Sequence, residues 1–492
     1  MSDSKQERAP LLDQLRLPAN FWVANLIEAG ERLAFFGVRA VVPLYMAGEQ
    51  SALHLSMTEK GWILGIWALI QCLVPMISGG YTETYGYKKS LYVAFAINIG
   101  GYSYMANAHG FWSMLAAAMM VGLGTAIFKP PVQGMVAKCL NEKNSGLGFG
   151  IFYWLVNVGG FFAPMLASAL RGDPELDPTW SHVFYGAAVV TAINYLPAIF
   201  LFREPDTEAK KQSPLRVFKE TMLTLWRDSQ MLRFLLVVSG FWFMFMQLWD
   251  LLPNYIAEWV NTQDVGAAIT TIFGDFGDRW LREDGSAKAE LLINIDSATI
   301  LLFVLPLAWF FGKYHMMLAL AVGMAISVVG FVGAGLTSMG SVCALMIFVF
   351  AIGEIICSPK FSEYIGMTAP PEKKAIYMGY SNIPFAVGWF AGNIVSGPLY
   401  DKFASRTEFA REYMIDKLGM SADAVAAIPP DKITETMVAQ MGNGATTTDA
   451  TRVLWEAHHP WIIWVILGSI GLASLIGMLL MSRMKRGPGS AS

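Results

Sequence analysis

Charge is scarce in this 492-residue chain: 15% of its residues are Asp, Glu, Lys or Arg, against 54% hydrophobic ones. A water-soluble domain carries about a quarter of its residues charged, so a surface this apolar must face lipid. Cysteine is scarcer still. Cys72, Cys139, Cys343 and Cys357 fall in or beside apolar runs without paired spacing, which argues against a disulfide framework or a zinc site and reads as small buried hydrophobes. Signatures of hydrolytic chemistry, H-E-x-x-H, G-x-S-x-G or paired aspartates, are missing, so nothing supports a membrane-embedded hydrolase. The first twenty residues lack a short apolar core followed by a small-residue cleavage site, which predicts a retained polar start rather than a signal peptide.

What is present is repetition. The mean hydropathy is +0.44, and apolar runs recur along the whole length, each able to cross about 30 Å of hydrocarbon at about 1.5 Å per residue. The runs place spans near 21–47, 60–82, 89–108, 111–138, 146–170, 181–202, 231–259, 291–312, 315–337, 341–368, 375–402 and 460–482. This predicts an all-α integral membrane protein with two bundles of six helices, 21–203 and 231–482. The segments 1–20, 204–230 and 483–492 then form an N-terminal segment, a linker with an amphipathic stretch after Pro214, and a tail.

Alternate loops gather Lys88, Lys89, Lys138, Lys143, Lys210, Lys211, Arg216, Lys373, Lys374, Arg483, Lys485 and Arg486 on one side. The positive-inside rule makes that side cytoplasmic, with both termini, in a cell membrane. The other side has short acidic loops, Arg171 to Asp177 and Asp264 to Glu290, and an insertion, 403–459, expected outside the membrane in short helical pieces. A weak internal echo links GGYTETYGYKKS after the second span with FFGKYHMM after the eighth.

Ionisable residues within the spans are the functional signal. On a helical wheel Glu28, Glu31, Arg32 and Arg39 lie within a stripe about 100° wide on the first span. A lone charge at mid-bilayer costs about 2.5–3.5 kcal/mol, so this set faces partners or a water-filled cavity. Lys129 lies about nine residues, or about 14 Å, from the nearer end of its span, with Pro130 and Pro131 behind it. Glu354 lies near the middle of the tenth span. A cavity between the halves would then have a cation on one wall and an anion on the other, which matches a zwitterion. Glu28 or Glu31 can gain and lose a proton as their partners move, coupling a proton gradient to cargo. The six histidines sit near span edges, so none is the expected proton carrier.

The motifs together resemble the proton-coupled oligopeptide transporter family of the major facilitator superfamily, across essentially the whole membrane portion. Glu28, Glu31 and Arg32 match the family's E-x-x-E-R, and GGYTETYGYKK is similar to the superfamily loop, with Glu83 for the usual Asp. Lys129-Pro130, FYWLVNVGG with Asn157, Trp242 with Gln247, Asn294, and GEIICSP with Glu354 and Ser358 follow in the family's order. The resemblance implies a major facilitator fold that imports di- or tripeptides with protons by rocking of two six-helix bundles. It implies proton coupling by Glu28, Glu31 and Arg32. It places Arg32 and Lys129 at a peptide carboxylate, and Glu354, Asn157 and Asn294 at its amino end and backbone, with Arg39, Trp242, Gln247 and Ser358 completing the substrate site. Expected partners are a small-molecule cargo and the bilayer, with no nucleic acid, no metal, and no cofactor beyond the coupling proton.

Departures bear on the cargo. Phe35 and Phe36 stand where the family has a tyrosine pair; Asp250, Asp296, Lys360 and Glu363 add charge. They predict a drier, more acidic pocket, and the two extra helices of many bacterial members are missing. Two other readings stay open: the same fold with another small metabolite or anion, and a non-transporting receptor or scaffold.

Overall fold

The computed structural model describes residues 17–49, 51–141, 144–171, 180–205, 214–311, 314–368, 380–442 and 444–484. Lys143, Lys210, Lys211, Lys373, Lys374, Lys485, Arg486 and most of the expected acidic loop after Arg171 lie outside them. Within the described residues twelve helical spans follow one another, and two isolated parallel bridges and one antiparallel bridge are the sole extended pairings.

The first half contains Ala19–Met46, Met57–Leu73 continued by Pro75–Tyr85, Tyr87–Met105, Phe111–Lys138, Ser145–Arg171, and Trp180–Ile193 continued by Tyr195–Phe200. The second contains a broken span (Ser229–Phe245, Gln247–Asp250, Leu252–Trp259), then Ala289–Phe311, Met316–Gly335, Gly340–Thr368, Asn382–Phe403 and Ile462–Met484. They are numbered here as spans 1 to 12. The chain enters span 1 and leaves span 12 on one face, the termini face; the opposite one is the insertion face.

Proline sets the larger bends. Span 2 turns by 40° where Pro75 follows Val74, since a proline ring clashes with the preceding turn and removes a backbone donor. Span 7 breaks twice before Pro253, and its middle piece holds Gln247 and Asp250. Small residues set the closest packing. A Cβ on Gly330 would stand 2.4 Å from the Phe350 amide nitrogen, locking spans 9 and 10 together.

On the termini face Gly86 turns the chain at φ +102° between spans 2 and 3. Glu204 fills the turn, accepting from the amides of Tyr87 at 2.5 Å and Lys88 at 3.0 Å. A carboxylate there satisfies free donors at the start of a helix. The linker helix Pro214–Arg227 packs on Pro75–Tyr85.

The insertion face departs from the expected short loops. Between Asp264 and Glu290 lie a helix, Gln263–Phe273, and a 3-10 turn, Gly274–Trp280. Asp264, in the first turn of this helix, accepts from the amides of Val265 and Ser341, both at 2.8 Å, so its carboxylate ties the helix to the start of span 10. The 403–459 segment forms helices Arg406–Asp416, Ala422–Ala426, Ile433–Met441 and Thr447–His458. Phe409, Met414, Val425, Ile433, Met437 and Leu454 are buried in a core continuous with that of the bundles. The segment is a packed cap.

Candidate functional site: charged clusters at the contact of two bundles

The halves touch through spans 1 with 7, 2 with 11, and 5 with 8, and the polar bonds joining them concentrate toward the insertion face. There Arg39 of span 1 binds Asp250 of span 7. Asp250 also accepts from the Trp389 indole and, at 2.7 Å, from Asn393. The Arg39 guanidinium lies 5.1 Å from the Trp67 ring centroid and 5.0 Å from that of Trp389. Lys60 donates to the Asp250 carbonyl and to Asn254 Oδ1, both at 2.8 Å. Nearer the surface Arg171 pairs with Glu290 at 3.2 Å. Asp401 accepts from the Met57 and Thr58 amides, each at 3.0 Å.

Glycine permits this contact. A Cβ on Gly61 would lie 2.3 Å from the Asn393 carbonyl oxygen, and one on Gly397 2.4 Å from that of Met57. Spans 2 and 11 therefore meet backbone to backbone.

Deeper along span 1, Arg32 stands between two carboxylates. Its Nε is 3.1 Å from Glu28, and its Nη2 contacts Glu31. Thr125 of span 4 reaches Glu31 at 3.4 Å. One helical turn further along span 4, Lys129 lies in the electrostatic field of Arg32, Cys72, Glu31 and Glu28. It keeps partial exposure, and it makes no ion pair among the described residues. Across the interface, Glu354 of span 10 lies within hydrogen-bonding reach of Asp296 of span 8, and both act electrostatically on Tyr153 of span 5. Asn157 donates to the Tyr153 carbonyl at 2.8 Å. Tyr153 is itself partly exposed. One carboxylate oxygen each of Asp296 and Glu354, and the Ser358 hydroxyl, are buried with no hydrogen-bond partner among the described residues.

The site residues expected from sequence therefore divide. Glu28, Glu31, Arg32 and Lys129 form one cluster, and Asn157, Glu354 and Ser358 lie around a second. Arg39 is occupied by Asp250 in the contact between halves. Asn294 spans the same contact, donating to the Phe161 carbonyl at 2.9 Å. Gln247 is fully buried against span 11 and donates to the Phe243 carbonyl of its own helix at 3.2 Å. Trp242 stacks on Phe385 with centroids 3.9 Å apart, inside an aromatic cluster with Phe245 and Phe361. Lys60, Asn254 and Asp401 were not singled out from sequence; all three lie near the insertion-face ends of spans, where a polar residue looks merely solvated.

Two bundles of six helices, joined by a linker and enclosing charged groups at mid-membrane depth, define a secondary-transporter architecture. Residues 29–393 match the Major Facilitator Superfamily model, and the chain belongs to that superfamily. The multidrug resistance protein MdtH of Klebsiella pneumoniae (strain 342) is 22% identical over 371 residues, 75% of this chain and 84% of that one. Among solved structures, a POT family transporter in complex with a thioalcohol-conjugated peptide superposes with a TM-score of 0.68, at 14% identity, covering 95% of this chain and 96% of the other. The nucleoside transporter NupG superposes with a TM-score of 0.67, at 12% identity, covering 94% and 99%. At such identities the structural matches establish the fold.

Proposed function

We propose that this protein is a proton-coupled symporter that carries a peptide-like zwitterion by alternating access. The observation that carries the reading is a pair of charged clusters flanking span 5: Arg32 and Lys129, with Glu28 and Glu31, on the first half, and Glu354 with Asp296 on the second. A cargo with an ammonium at one end and a carboxylate at the other would satisfy both clusters. Buried polar atoms without partners, as on Asp296, Glu354 and Ser358, are costly, and a cargo supplying donors would remove that cost.

Coupling follows from the place of Arg32. While Glu28 and Glu31 are ionised they hold its guanidinium. A proton on either weakens that hold and frees the guanidinium for a cargo carboxylate, so proton and cargo are taken up together. Basic residues on the termini face, among them Lys88, Lys89, Lys138 and Arg216, support a cytoplasmic assignment for that face in a cell membrane. The state described is then closed to the outside. A second reading keeps the mechanism and changes the cargo. It is favoured by the names of the relatives, a multidrug protein and a nucleoside transporter, and by Phe35 and Phe36 within 5.1 and 5.7 Å of Arg32, which dry this cluster.

The test is uptake of labelled dialanine and trialanine into proteoliposomes with an acidic exterior and an inside-negative potential, with Glu31→Gln alongside. Gradient-driven uptake that the variant loses supports the reading. Absence of uptake in folded protein overturns the peptide assignment.

A further inference from the structure

The cap 403–459 is covalently part of the second half, since it leaves span 11 and returns to span 12. Its attachment there is extensive: the Trp259 indole donates to the Ala404 carbonyl at 2.8 Å, and Trp259 packs against Phe409 and Trp455. Among the described residues it also binds the first half, through Glu49. Glu49, three residues beyond the end of span 1, is 6% exposed. It pairs with Arg406 and accepts from the Thr434 amide at 3.1 Å. Thr434 is the second residue of helix Ile433–Met441, where unpaired amides and the helix dipole favour a carboxylate. Arg406 in turn donates to the Glu258 carbonyl at 2.7 Å, while the Glu258 carboxylate accepts from Tyr400 at 2.9 Å. One arginine of the cap thus links the end of span 1 to the end of span 7.

We propose that the cap is the clasp of the insertion-face gate, with Arg406 as its positioning residue. The halves cannot part on this face while Glu49 is held by Arg406 and Thr434. Span 1 also carries Glu28, Glu31, Arg32 and Arg39, so the clasp fixes the outer end of the helix on which coupling would take place. The inference rests on the alternating-access reading, and it is independent of what the cargo is.

The test needs no cargo. In a Cys139→Ser background, spin labels are placed at Ala52 and Ala268 to report the two halves, and at Ala52 and Glu435 to report the cap against the first half. Distance distributions are measured by pulsed electron resonance in lipid nanodiscs. Arg406→Ala is expected to raise the long-distance fraction of both pairs at least fivefold, and Arg406→Lys to restore most of the short one. Glu49→Gln, which keeps its size, serves the same purpose if the alanine variant does not fold. Lengthening of the cap pair alone would show a cap that covers the gate without holding it. Neither that result nor an unchanged pair of distributions is compatible with the clasp. Failure of peptide uptake with both distances responding would overturn the cargo and leave the clasp intact.

Discussion

Arg39 and Asp250 join the two bundles through an ion pair in which the arginine is 4% exposed and the aspartate not at all. Burial removes both charges from water, and their geometry compensates: Asp250 has three donors around it, and Arg39 lies between two indole rings. Removing one partner strands the other charge, at a cost of about 3–5 kcal/mol. Asp250→Asn is therefore expected to lower thermal stability strongly. A double replacement of Arg39 and Asp250 by methionine and leucine is expected to recover part of it, because an apolar pair leaves no unpaired charge but takes the acceptor from the Trp389 indole and Asn393 amide. Melting curves of the three proteins in one detergent decide the point; a double variant as unstable as the single one would contradict it.

The glycines at the contact of spans 2 and 11 predict a state-selective effect. Valine at Gly61 would drive its Cβ into the Asn393 carbonyl, which is part of the packed backbone of the facing helix. The described state cannot absorb that clash, whereas a state with this face open would not contain it. Gly61→Val is expected to leave folding intact, abolish transport, and increase reactivity of a cysteine placed at Thr58 toward a membrane-impermeant reagent severalfold. Unchanged reactivity would show that the close approach does not decide which face is open.

How much of this was legible beforehand follows from where each residue sits. The twelve spans were readable because hydrocarbon thickness imposes runs of about twenty apolar residues, and the stripe of Glu28, Glu31 and Arg32 because helical periodicity places them on one face. Partnership across the interface was not readable. Arg39 and Asp250 are 211 positions apart, and nothing local distinguishes an arginine awaiting cargo from one already paired. Helix Gln263–Phe273 was hidden for another reason. Its polar flanks and short length resemble a loop, it has no side-chain cap at its start, and the Asp264 carboxylate of its first turn is held by Ser341 in a distant span. Trp242 and Gln247 pack against spans 10 and 11, contacts that their spacing along span 7 does not reveal.

Asp264 gives a pH dependence outside the membrane. Partial burial raises its pKa, but the hydroxyl and amide of Ser341 and the amide of Val265 outweigh that effect, and the net shift is downward. A carboxylate whose folded pKa lies below its unfolded value, about 3.9, stabilises the protein above that value. The contribution is lost as the pH falls through the folded value. The melting temperature of the wild type is expected to exceed that of Asp264→Asn at about pH 6, and the gap to close below about pH 4. A gap that persists under acid conditions would assign the difference to side-chain shape rather than charge.

The two charged clusters predict which end of a cargo each half reads. Lys129 makes no ion pair among the described residues and feels Glu28 and Glu31 only through space, so a cargo carboxylate would be its first direct ionic partner. Glu354 offers an unpartnered oxygen to an ammonium. A hydrogen bond to a charged group contributes about 1.5–3 kcal/mol, or about tenfold to hundredfold in affinity. Lys129→Gln is therefore expected to weaken competition by dialanine by about that factor and to leave its amide, which lacks the carboxylate, almost unaffected. Glu354→Gln is expected to do the reverse, weakening dialanine but sparing N-acetylalanine, which lacks the ammonium. The inhibition constants of the three ligands on the wild type and the two variants, measured on one labelled cargo in proteoliposomes, form a set in which each variant is blind to the ligand missing its own partner. If both variants weakened both truncated ligands equally, the clusters would be holding the bundles together, because a structural loss cannot tell one end of a ligand from the other.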